Sequence, residues 1–226
     1  MRKLSLIFSI IFIPLLPGYL FAAAKTHTVS LGSVRKAVYM PAESAPAANV
    51  SGAVFRIRPL IIDGRVKEWT TGDAHDVTER SFTVRRAVRI NDSLPGETVQ
   101  RWTWQSGAWL LIDRLTGHIT LLHLPNYDAI VSEVVWFRDY AAYCGVSNTA
   151  KTLYAIVARA GVAKAIVQKE IAHMPADDLN QALCAAAVWE RSPIRVTFNP
   201  SGHDAMSFEI SGTTASVLEE APDNDE

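Results

Sequence analysis

From residue 54 to residue 210 the chain is built of short runs in which apolar and polar side chains alternate, divided by turn-forming residues. A period of two over four to eight residues is the signature of a half-buried β-strand. In residues 54–62, Phe55 and Ile57 alternate with Arg56 and Arg58. Asp63-Gly64 follows, then a second strand-like run over 65–69 that ends at Trp69. Asp-Gly between two such runs is a strong hairpin signal, because both central residues of the favoured turn need positive φ. In 82–90, Phe82, Val84, Val88 and Ile90 share one face, and Thr83, Arg85 and Arg89 share the other, with Arg86 the exception on the apolar face. Further strands are predicted over 99–105, with Trp102 and Trp104 on one side, and over 109–113, 118–124, 131–137 and 140–146. Near the end, 194–198 and 207–210 flank an Asn199-Pro200-Ser201-Gly202 turn.

One stretch is ambiguous. Apolar residues between 153 and 174 fall near a helical period, yet Gly161 in their midst would cost a helix about 1 kcal/mol. Two strands joined around Ala160-Gly161 are the preferred reading, because they supply partners for the strands before them. The Ala-rich segment 175–187, with Asp177 and Asp178 near its start, is the one place where a short helix is expected. The fold class is therefore mainly β: an antiparallel meander, sandwich-like or partly propeller-like.

The two ends read differently. Arg2 and Lys3, an apolar run over 4–16, Pro17-Gly18 and Ala22-Ala23-Ala24 have the layout of a secretory signal peptide cut after Ala24. An uncleaved anchor is the alternative, opposed by Pro14 and Pro17 in its second half. Residues 25–50 read as an N-terminal arm and linker, 51–218 as a single β domain, and 219–226 as a disordered acidic tail. The expected location is periplasmic or extracellular, with no membrane span once the signal is removed.

Charge and cysteine content narrow the function. The formal charge is −1, or −3 after loss of Arg2 and Lys3, and no basic run offers a footprint for nucleic acid. Cys144 and Cys184 are the only cysteines. In an oxidising compartment they form a candidate disulfide closing a loop of about 40 residues, worth roughly 4 kcal/mol; two buried thiols are the alternative.

Two stretches resemble β-propeller blades of the quinoprotein type. Residues 109–119, Trp-Leu-Leu-Ile-Asp-Arg-Leu-Thr-Gly-His-Ile, are similar to the strand, Asp-x-x-Thr-Gly turn and strand of such repeats. Residues 136–144 followed by 151–156 are similar to the next strand pair. A closed propeller needs at least about four four-stranded blades, so the resemblance implies meander structure and no quinone cofactor. Residues 62–69 also resemble the opening hairpin of some exported carbohydrate-binding β-sandwiches.

Catalytic signals are sparse. His118 and His123 are five residues apart and would point to opposite faces of a strand. No Gly-x-Ser-x-Gly elbow, phosphate-binding glycine loop or His-Glu-x-x-His is present, and no metal or cofactor is expected. Glu133 with Asp139 is a conceivable carboxylate pair. The densest polar cluster is Asp73, His75 and Asp76. Arg56, Arg58, Arg85 and Arg89 would form a basic stripe if their strands were neighbours. Of Trp69, Trp102, Trp104, Trp109 and Trp136, one or two are expected at the surface, where indoles stack on sugars or anchor partners. The candidate ligand-binding residues are accordingly Trp69, Asp73, His75, Arg85 and Arg89. The leading expectation is an exported, non-enzymatic β domain that binds a protein or a cell-envelope component. A carbohydrate-binding module and an unrecognised hydrolase around Asp73 and His75 are the alternatives.

Overall fold

The computed structural model describes residues 26–37, 55–149, 151–173 and 184–218. The signal segment, the 41–48 linker and the acidic tail lie outside the described residues, as does most of the 175–187 segment expected to hold a helix. Among the described residues the protein is all β, in three antiparallel sheets. No helix among them is long and apolar enough to cross a membrane.

The first sheet has seven strands: β1 (Val29–Leu31), β2 (Arg35–Ala37), β3 (Phe55–Ile62), β4 (Arg65–Asp76), β5 (Ser81–Asn91), β6 (Trp102–Asp113) and β7 (Ile119–Leu121). β3 to β7 run as a meander, while β1 and β2 both pair with the free edge of β3. The stretch read as a loose arm thus contributes strands over its first dozen residues. Asp63 and Gly64 take φ of 50° and 74° at the β3–β4 turn, as the hairpin signal requires. The sheet curls around its own apolar face. Leu60, Phe82, Val84, Leu110 and Ile112 are buried together, with Val29 and Leu31 from one edge and Ile119 from the other packed against them. The edges meet where the His27 backbone N–H donates to the Leu115 carbonyl at 2.9 Å.

Two of the three bulges in this sheet bear on the outer face near the candidate residues. β6 carries one extra residue against β5 between the pairs Arg85↔Trp109 and Ala87↔Ser106. One extra residue inverts the alternation, so Trp104 and Trp109, five positions apart, emerge on the same side as Arg85 and Arg89. β4 carries two extra residues between Thr71↔Arg85 and His75↔Thr83, which leaves its alternation unchanged.

The second sheet is β8 (Val135–Phe137), β9 (Tyr140–Val146), β10 (Thr152–Arg159) and β11 (Val167–His173). Residues 152–173 therefore form the preferred strand pair, with Gly161 at φ 77° in the connection. β9 is buried at every position, because both its faces are covered. Ala141, Tyr143, Ile156 and Ala158 cluster with Leu124, Tyr127 and Trp136 on one side. Tyr140, Ala142, Cys144 and Val157 cluster on the other with Val196, Phe198, Phe208 and Ile210. These last belong to the third sheet, β12 (Val188–Arg191), β13 (Ile194–Phe198), β14 (Met206–Ser211) and β15 (Thr214–Leu218). The Cys144–Cys184 disulfide ties β9 to the segment beside β13, with the two Cα atoms 6.2 Å apart. Trp189 also joins the two sheets: its indole N–H donates to the Val135 carbonyl at 3.1 Å, and its ring stacks on Phe137.

Candidate functional site: an indole and arginine groove

The five candidate residues do not converge. Asp73 is exposed in the β4 bulge. His75 turns toward the second sheet, where its Nε2 lies 2.7 Å from the Arg138 carbonyl oxygen and its ring stacks on Trp136. Asp76 pairs with Arg114. Arg85 donates to the Ala129 carbonyl and sits 5.9 Å from the centre of the Tyr127 ring. His75 and Arg85 are thereby committed to joining the curled sheet to the second sheet. Trp109 and Trp136 meet edge to face in the same seam, 5.4 Å apart. Burial raises the phenol pKa of Tyr127 and Tyr143 there, so both remain neutral donors, to the Gly107 and Pro125 carbonyls.

The basic stripe does not form either, because β4 lies between β3 and β5. Arg58 donates to the Gly72 carbonyl at 2.8 Å. Asp139 is held by Arg159 in an ion pair, so the Glu133–Asp139 combination has one member already engaged. His118 and His123 line two different grooves. Among the described residues no three His, Cys, Asp or Glu side chains group closely enough to hold a metal ion.

Trp69 and Arg89, in contrast, come together. β4 and β5 pair as far as Thr70↔Arg86, and beyond that pair no further register joins them. A groove of about 380 Å³ opens there, lined by Glu68, Trp69, Arg86, Ala87, Val88, Arg89 and Trp104. Trp69 and Trp104 stand on strands either side of β5 and meet edge to face, with centroids 5.7 Å apart and planes at 63°. Ala87, on the strand between them, is small enough to be buried beneath this contact. Arg86, the odd charge on the apolar face of β5, is explained by its ion pair with Glu68 at 2.9 Å, which links the two walls.

Two further guanidiniums stack on the indoles. Arg89 lies 4.9 Å from the centre of the Trp102 ring, and Trp102 is 42% exposed. Arg35 lies 5.8 Å from the centre of the Trp69 ring. Both arginines are exposed. Cation–π contacts of this kind are worth about 0.5–1 kcal/mol at exposed sites. They hold each guanidinium over an indole, and neither arginine is in an ion pair among the described residues. Arg35 was out of reach of sequence reasoning, since it belongs to a segment that gave no strand signal. Trp102 and Trp104 were visible as a pair on one face, but not their closeness to Trp69.

In searches against protein-family models and against curated proteins, the chain matches none.

Proposed function

We propose that this chain is the binding domain of an exported protein, that it works without catalysis, and that it holds a component of the cell envelope in the Trp69–Trp104 groove. The observation that carries the reading is the pair of partly exposed indoles Trp69 and Trp104 on an open sheet surface, flanked by Arg35 over Trp69 and Arg89 over the neighbouring Trp102. Indole faces and arginine edges are the groups that dominate recognition surfaces. Of the other polar candidates, His75 and Arg85 already serve the seam between sheets. Export rests on the layout of residues 1–24 and is supported by the Cys144–Cys184 disulfide, a bond that persists in oxidising compartments.

The test is co-sedimentation of the purified mature protein with isolated envelope material. Wild-type protein is expected in the pellet and Trp104→Ala in the supernatant, with both variants folded by near-ultraviolet circular dichroism. Equal sedimentation of the two would remove the groove from the account. Turnover of polysaccharide during the incubation would remove the non-catalytic reading.

A further inference from the structure

Resting on the binding-domain reading above, we infer that the component held in the groove is an acidic polysaccharide, recognised through its uronate carboxylates. Three features argue for this class. First, the local charge opposes that of the whole chain. Arg86 and Arg89 line the groove against the single lining carboxylate of Glu68, and Arg35 lies over the ring of the lining Trp69, in a chain whose formal charge is −1. Arg86 is neutralised by Glu68, but Arg35 and Arg89 are in no ion pair among the described residues. Two exposed guanidiniums held over indole rings keep the fork of N–H donors that takes a carboxylate through two parallel bonds.

Second, the apolar part of the lining is mostly aromatic. Trp69 and Trp104 supply flat surface, joined only by Ala87 and Val88. Indoles with a polar rim suit the C–H faces of sugar rings, whose edges carry hydroxyls and carboxylates. Third, the size suits a short run of a polymer. At about 380 Å³ the groove falls within the roughly 300–1,000 Å³ range of sites that take small molecules, and it is flanked by charge.

The experiment follows tryptophan fluorescence and affinity electrophoresis with polygalacturonate, alginate and hyaluronan. Fully methyl-esterified polygalacturonate is the control that keeps the sugar backbone and removes its charge. The expected result is saturable quenching by at least one acidic polymer, weakened about tenfold by esterification or by the double variant Arg35→Gln/Arg89→Gln. Binding should also weaken steeply with added salt. Equal binding of charged and esterified polymer, lost in Trp104→Ala, would overturn the acidic specificity and leave the binding-domain reading intact. Binding to none of the polymers, with envelope sedimentation still dependent on Trp104, would overturn the polysaccharide and point to an acidic protein. Indifference of every readout to Trp104→Ala would overturn both readings.

Discussion

Replacing both Cys144 and Cys184 by Ala should lower the unfolding free energy by about 4–5 kcal/mol. The disulfide closes a loop of 40 residues. In the chain-entropy relation a loop of that length removes roughly 13 cal/mol/K from the unfolded ensemble, about 4 kcal/mol at room temperature. Cys144 is 7% exposed and belongs to the core shared by the second and third sheets, so trimming it to Ala adds up to about 1 kcal/mol of lost packing. A domain of this size has about 5–15 kcal/mol in all, so the variant should fold but with little to spare. Urea unfolding, read by circular dichroism with and without reductant, measures the effect. Reductant should bring wild type down toward the variant and leave the variant unchanged. The m-value should rise without the bridge, because the unfolded chain exposes more surface. The native near-ultraviolet spectrum should be preserved, since the Trp189–Phe137 stack and the packing of Phe198 and Phe208 in one core with Tyr140 and Val157 still hold the two sheets together. A loss below about 1 kcal/mol, or an altered native spectrum with an unchanged m-value, would refute the loop-closure argument.

Other perturbations report on separate parts of the molecule. Gly145→Ala would place a Cβ 2.6 Å from both the Asn126 carbonyl oxygen and Ile156 Cδ1. The Asn126 carbonyl also accepts from the Val146 N–H, so the clash is with a bonded backbone and should cost about 1–3 kcal/mol in denaturant unfolding. Phe208→Ala, at a site 2% exposed against Phe198, should cost about 3–5 kcal/mol by the same assay. The Asp113 carboxyl is held down to about 2, chiefly by the backbone N–H of Thr116, then by those of Leu115 and by Arg80. Its contribution is therefore complete above the ordinary carboxylate range and disappears as pH falls through about 2. The gap in melting temperature between wild type and Asp113→Ala should close over that window. Burial raises the Tyr143 phenol, so its contribution holds below the unfolded value of about 10 and is lost above it as the unfolded chain ionises. Alkaline unfolding should therefore be shallower in Tyr143→Phe.

Much of the strand content was legible along the chain. Alternation located the strands from β3 to β10 and those around β13 and β14, and Gly161 argued correctly against a helix. The boundaries moved where turn chemistry competed. Residues 131–134 stay out of β8 and follow a turn in which the Asp128 carboxylate accepts from the Ile130 and Val131 backbone N–H groups. β12 and β15 gave no clear alternation, because they are edge strands with mostly exposed side chains. The candidate site was half legible. Trp69 and Arg89 stay in the groove, whereas His75 and Arg85 are drawn into the seam by the Arg138 and Ala129 carbonyls.

The sequence alone determined the mainly β character and the Asp63-Gly64 hairpin, since each follows from local period or local turn geometry; it left Cys144 and Cys184 as either a bridge or two thiols, and the structure has the bridge. Only the tertiary structure decided which strands are neighbours, and therefore that Arg56 and Arg58 never join Arg85 and Arg89. It also decided that a bulge in β6 brings Trp104 to the face of Trp109, and that Arg35 reaches Trp69. The physical reason is that a period of two says which residues of one strand share a face. It does not say what covers that face, and a single extra residue reverses it.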